Sequence, residues 1–175
     1  MAYTWIPFYK ELAEKLLYYK NDRSRLMEWI KSDLTKVKGK GGHSLIQSLI
    51  NNDDFRKRKD IDPFTIFEIF NREYKNGEFK LKELLWVFHD YFNLSSEVPS
   101  DFEGCSLIKY NSAYATYLKN ESISVDFLWG LFEKVLLGES IADDFDLLIS
   151  NGILINNLSR SLYWIEPDKY LPLNG

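Results

Sequence analysis

Between residues 31 and 60 the chain gathers eight cations, Lys31, Lys36, Lys38, Lys40, Arg56, Lys57, Arg58 and Lys59, against the four acids Asp33, Asp53, Asp54 and Asp60, a local charge of +4. The remaining residues hold 14 cations and 22 acids, a charge of −8. Lys36, Lys38 and Lys40 flank the glycines of "KGKGGH", whose backbone N–H groups can approach a phosphate closely. Arg56, Lys57, Arg58 and Lys59 are four cations in a row. Contacts of this kind give affinity that falls with salt, and base readout is left to other side chains. These seven residues are the candidate nucleic-acid contacts. The competing reading is that they only keep surface loops solvated.

Other chemistries find little support. "GKGGHS" has glycines and a lysine, but their order does not form the phosphate cradle G-x-x-x-x-G-K-[ST]. His43 and Ser44 are adjacent, a spacing at which base and nucleophile do not face each other productively, and no oxyanion hole accompanies them. The pairs Asp53-Asp54 and Asp143-Asp144 lack the neighbouring acid and lysine of a metal-dependent nuclease, so solvated acids or helix caps are the better reading. A single cysteine, Cys105, excludes an internal disulfide, and His43 and His89 stand apart. The sequence therefore predicts no catalytic residue, no metal and no cofactor in this chain. His89 reads as a partner for a neighbouring polar group.

Helices must position the basic stretch. Trp5, Phe8, Tyr9, Leu12, Leu16 and Tyr19 recur at helical spacing, with Thr4 as the expected cap and Pro7 in the first turn. A second helix starts at Asp22 or Ser24 and turns Leu26, Trp29, Ile30, Leu34 and Val37 inward. Residues 38–43 read as an exposed loop, and Leu45, Ile46, Leu49 and Ile50 as a short helix. Asp62-Pro63 is a strong start signal for a helix through Phe70 that is apolar on nearly every side and belongs at the centre of the fold. Asn71 and Arg72 would satisfy carbonyls at its end. Further helices are expected around Leu81–Phe92, Val125–Val135 and Ile141–Ile149. Short strands or extended segments are expected near 106–117 and 153–173, where "ILI" and "LYWI" look strand-like and Pro167 and Pro172 bar a regular central strand. The fold class is mainly α, a compact multi-helix domain.

Aromatic residues make up 16% of the chain, enough for a firm core. No stretch approaches the roughly 18 apolar residues of a membrane span, and "MAYTWIPFYKEL" does not read as a signal peptide. A cytoplasmic location is expected.

Four segments, in order, resemble the N-terminal part of McrB-like AAA+ restriction proteins: "TWIPFYKELAEKLLYYKNDRSRL", "IDPFTIFEIFNR", "VPSDFEGCSLI" and "LYWIEPDKYLPLN". That family reads approximately W-I-P-F-Y-E-E-L-A-D-K-L, I-D-P-F-T-F-F-G-L-F-N-R, V-P-x-D-F-D-G-I-P and L-Y-W-I-R-P-N-T-F-L-N-L-D. Glu68 stands where Gly is usual, and Glu166 where Arg is usual. The resemblance implies a non-catalytic N-terminal recognition domain over residues 1–175, with DNA, in some cases modified, as its ligand. It also implies an AAA+ motor that hydrolyses GTP downstream of a domain boundary near Gly175, and a separate nuclease subunit, within an antiviral restriction system. The alternative is a protein-interaction or assembly domain that docks on the ATPase, the nuclease subunit or a phage protein.

Overall fold

The computed structural model describes residues 3–34, 57–71, 79–108, 117, 120 and 122–173. The chain is mainly α. Among the described residues the helices are α1 (Trp5–Leu17), α2 (Arg23–Ser32), α3 (Pro63–Phe70), α4 (Phe79–Phe92), α5 (Val125–Leu137), α6 (Ala142–Ser150) and α7 (Ile155–Ile165). The predicted helix over Leu45–Ile50, the loop at 38–43, Val37 and Arg72 lie outside these residues.

α3 is the centre of the fold. Asp62 caps it as expected, its carboxylate accepting from the Thr65 N–H at 2.8 Å and from the Thr65 hydroxyl at 2.6 Å, and Pro63 opens the first turn. All eight residues of the helix are buried. Its rings pass contacts outward, edge to face. Tyr9 of α1 meets Phe67 and Phe70 at 5.9 and 5.3 Å, Phe70 meets Phe88 of α4 at 4.9 Å, and Phe88 meets Trp29 of α2 at 5.2 Å. Such pairs add to simple burial because a positive ring edge meets a negative face. On the far side, α3 packs against α5 and α7, with Phe64 against Phe132.

Asn71 ends α3 as predicted, its side-chain amide donating to the Phe67 carbonyl at 3.0 Å. Two expected caps differ. Thr4 and Asp22 occupy N-cap positions without capping their helices. The Thr4 hydroxyl instead bonds the Asp101 carboxylate at 2.8 Å, tying the 95–106 loop to the start of α1. Ser124 caps α5 through the Phe127 N–H, and Gly138 closes that helix at φ +73°, a left-handed conformation that glycine adopts without penalty.

The expectation of extended structure at 153–173 is corrected over its first half, since Ile155–Ile165 is the helix α7. Leu158, Ser161, Leu162 and Ile165 fall at i, i+3, i+4 and i+7 and are buried. Ser161 within that stripe, and the buried Ser159 beside it, hide it from a reading that counts only apolar residues. The aromatic and β-branched "LYWI" then mimics a strand, although packing overrides the local preference. After Glu166 the chain is irregular, and Leu171 and Leu173 are exposed rather than part of the core. Within the expected extended stretch near 106–117, Ile108 is the bridged residue among those described, its N–H donating to the Asn71 carbonyl at 2.9 Å. Residues 109–116 of that stretch lie outside the described residues, and Tyr117 sits in a turn.

Glu11 fastens the loop after α4. Its carboxylate accepts from the N–H and hydroxyl of Ser95, both at 2.8 Å, and from those of Ser96, at 2.7 and 2.6 Å. Desolvation pushes this carboxyl up, but the hydrogen bonds from Ser96 and Ser95 outweigh it and hold it at about 2. A folded value below the unfolded one means stabilisation that is complete above about pH 4.3 and drains away as pH falls toward 2. Full linkage would give about 3 kcal/mol, which solvent screening at this accessible site reduces to about 1–2 kcal/mol. Glu11→Gln is therefore expected to lower stability at pH 7 by that amount and to flatten the acid limb of urea-unfolding stability between pH 5 and 2. An acid limb as steep as the parent's would show that Glu11 does not hold the loop. Asp62 acts in the opposite sense. Burial raises its carboxyl above the usual range, so its contribution diminishes as pH rises through that raised value.

Candidate nucleic-acid interface

The basic stretch enters the described part of the chain at Lys57 and runs directly into the cap of α3. Lys57 and Lys59 are exposed, and Arg58 is half-buried. Their backbone is pinned. The Lys31 ammonium donates to the Arg58 carbonyl, and the buried Trp129 indole donates to the Ile61 carbonyl at 3.0 Å. Asp60 meets the Arg23 guanidinium at 3.4 Å, and Arg23 also reaches Asp126 at 2.8 Å. Residues 58–60 thus run alongside α2, opposite in direction, held by Lys31 near its end and Arg23 at its start. Two cations project to solvent from a fixed support. Lys36, Lys38, Lys40 and Arg56 lie outside the described residues, as do His43, Ser44, Asp53 and Asp54.

α2 has a second cationic side. Arg25 lines a cleft of about 270 Å³ together with Lys15, Tyr18, Tyr19, Asp22, Tyr91 and Phe92. Arg25 lies 5.9 Å from the centre of the Tyr19 ring, within cation–π range. Sequence reasoning missed this cleft because it assembles from the end of α1, the start of α2 and the end of α4. The signal available was the run "LLYYKNDRSR", in which two tyrosines and three cations crowd a helix junction.

The remaining candidates resolve into structural roles. His89 contacts the Asp90 carboxylate at 3.1 Å and the Trp86 ring at 5.3 Å, in keeping with the expected polar partnership. Asp144 pairs with Lys134 at 2.8 Å. Among the described residues no three His, Cys, Asp or Glu side chains converge as metal ligands. Burial pushes the Cys105 thiol up to about 12, the opposite of an activated nucleophile. Glu68 is buried on α3, where its charge acts against the desolvation that lowers the pKa of Arg160 on α7. Arg160 in turn donates to the Ser106 hydroxyl at 3.2 Å. No described helix is long and apolar enough to cross a membrane.

The family described as "Domain of unknown function (DUF8425)" matches residues 5–175. The chain belongs to this family. No curated protein and no solved structure matches it. The match to the DUF8425 family begins at Trp5, the first residue of α1, and takes in α7 and the irregular segment after it.

Proposed function

We propose that this DUF8425 domain is a non-catalytic DNA-recognition domain of a McrB-like, modification-dependent restriction ATPase. The observation that carries the reading is the pinned basic segment, where Lys57 and Lys59 point to solvent from a backbone held by Lys31 and Trp129. The resemblance adds support through a pair of departures. Lys10 stands where the McrB-like pattern has Glu, Glu166 stands where it has Arg, and their charged groups lie 3.7 Å apart. An ion pair with reversed polarity is what compensation between two touching positions would produce. Most other shared motif residues, Trp5, Phe8, Tyr9, Asp62, Phe64, Phe67, Asn71 and Trp164, are buried. They speak to the fold, so the ligand reading rests on the cations.

The test is fluorescence anisotropy with a duplex oligonucleotide across a salt series. Affinity should fall linearly on a log–log plot. Lys57→Glu with Lys59→Glu should weaken binding about tenfold or more and flatten the slope by about two, one for each lost phosphate contact. An unchanged slope in the double variant would remove these residues from the interface, and no duplex binding at low salt would remove the function.

A second reading, a protein-docking domain, is favoured by exposed apolar side chains near acids. Leu147, Ile149, Leu154 and Ile155 are exposed on α6 and the start of α7 beside the exposed Asp143 and Asp146. Residues 135–159 contain four acids and no lysine or arginine. Acids interspersed with exposed apolar side chains repel DNA and suit a protein partner that carries positive charge. Co-elution with the motor or nuclease subunit, combined with no DNA binding, would select this reading.

A further inference from the structure

We infer that the cleft between the α1–α2 turn and the end of α4 is a stacking site for an unpaired nucleotide of a nucleic-acid strand. The inference rests on the DNA-recognition reading and adds to it a second site, distinct from the basic segment at 57–59. Three features of the cleft specify the ligand. Tyr18 follows the last residue of α1 and is 82% exposed, so its ring is open to a ligand. Lys15 and Arg25 bring two cations to the same opening, with Asp22 as the single acid among the described lining residues, 4.0 Å from Arg25. Deeper in, Tyr91 is fixed by stacking on Trp29 at 3.9 Å and 15°, and its hydroxyl oxygen is shielded from solvent beside Tyr19 and Arg25.

An exposed aromatic face beside paired cations calls for a flat ring joined to an anion. A base and its phosphate supply both at a fixed separation, and every base has a π-face, so stacking of this kind tolerates any sequence. A duplex stacks its own bases internally and cannot offer one here. The cleft therefore selects single-stranded or locally unpaired strand. Arg25 contributes twice, through its charge toward the phosphate and through its position over the Tyr19 ring, which braces the wall. The arrangement divides labour along α2. Arg23 and Lys31 hold the segment that meets duplex phosphates, and Arg25 serves the site for an unpaired base.

The test uses the chain of residues 1–175 and a fluorescent ten-nucleotide oligothymidylate, with an abasic ten-mer of the same charge and free thymidine monophosphate as competitors. Tyr18→Ala and Arg25→Ala are exposed changes whose folding near-ultraviolet circular dichroism can verify. Each should weaken oligothymidylate binding about tenfold. The parent should prefer oligothymidylate over the abasic strand, and Tyr18→Ala should erase that preference. If both variants bind oligothymidylate as the parent does, while Lys57→Glu with Lys59→Glu loses duplex, the cleft is not a nucleotide site and the DNA-recognition reading stands. If free thymidine monophosphate competes as well as the strand at equal nucleotide concentration, the assignment to a strand is overturned. If neither duplex nor single strand binds at low salt, the DNA-recognition reading fails and this inference fails with it.

Discussion

Replacing Trp164 with alanine is expected to lower the free energy of unfolding by about 4 kcal/mol, the middle of the range for a buried aromatic ring. The ring is almost wholly buried on α7, and its indole N–H donates to the Ser106 carbonyl at 2.8 Å. Beside it, the Tyr163 hydroxyl donates to the Gly104 carbonyl at 2.8 Å. Together they seat the 104–106 turn on the helix. Truncation would remove the packing, open a cavity among rigid neighbours and release the turn. Trp164→Phe keeps most of the volume but loses the hydrogen bond and part of the ring, so about 2 kcal/mol is expected. Leu171, exposed at 76%, provides the contrast, since its change to alanine should stay within about 0.5 kcal/mol. Urea unfolding followed by tryptophan fluorescence measures all three. A loss below about 1.5 kcal/mol for Trp164→Ala would mean that α7 is not a wall of the core.

Asn71→Ala should cost about 2–3 kcal/mol, through unmade hydrogen bonds rather than lost volume. The side chain accepts from the Tyr9 hydroxyl at 2.7 Å and donates to the Phe67 carbonyl at 3.0 Å, in a site sealed from water. The Cys105 thiol lies 3.5 Å from the same amide oxygen. Removing the amide takes the 2.7 Å acceptor from the buried Tyr9 hydroxyl and the donor from the Phe67 carbonyl, and a lost bond in a buried site is more expensive than the bond itself was worth. The double variant Asn71→Ala with Tyr9→Phe removes donor and acceptor together. It should therefore be clearly less destabilised than the sum of the two single changes, with a coupling of about 1 kcal/mol or more. Strict additivity in the cycle would show that Tyr9 and Asn71 do not depend on each other.

These residues mark how far local sequence carries. Asn71 follows an apolar helix and precedes no continuing period, so its role as an end cap could be read directly. That it also receives Tyr9 from 62 positions away could not. The Asp62-Pro63 start and the all-apolar face of α3 were likewise legible, because capping and burial on every side leave local signatures. α7 was misread for the converse reason. Its inward face includes Ser159 and Ser161, whose hydroxyls find partners in Leu173 N–H, the Asn157 carbonyl and the Tyr117 hydroxyl. Such partners, with the Asn156 carbonyl that also accepts from Ser159, make the serines acceptable inside.

The candidate site divides in the same way. Charge is a property of composition, so the run from Arg56 to Lys59 was visible without any coordinates. Which of those cations point outward depends on Lys31 and Trp129 gripping carbonyls far along the chain. The aromatic cleft left still less trace, being built where three helix ends meet.

By itself the amino-acid order determined a mainly helical class, the helix start at Asp62-Pro63, the end cap at Asn71 and the place where positive charge concentrates. Each follows from interactions within a few residues or from simple counting. The tertiary structure decided that "LYWI" is helical, that Leu171 and Leu173 stay outside the core, that Lys10 opposes Glu166, and that Tyr18 and Arg25 share a cleft. Those outcomes depend on partners distant in sequence. Free energy from burial and hydrogen bonding between such partners outweighs local preference, and only the assembled fold specifies which partners meet.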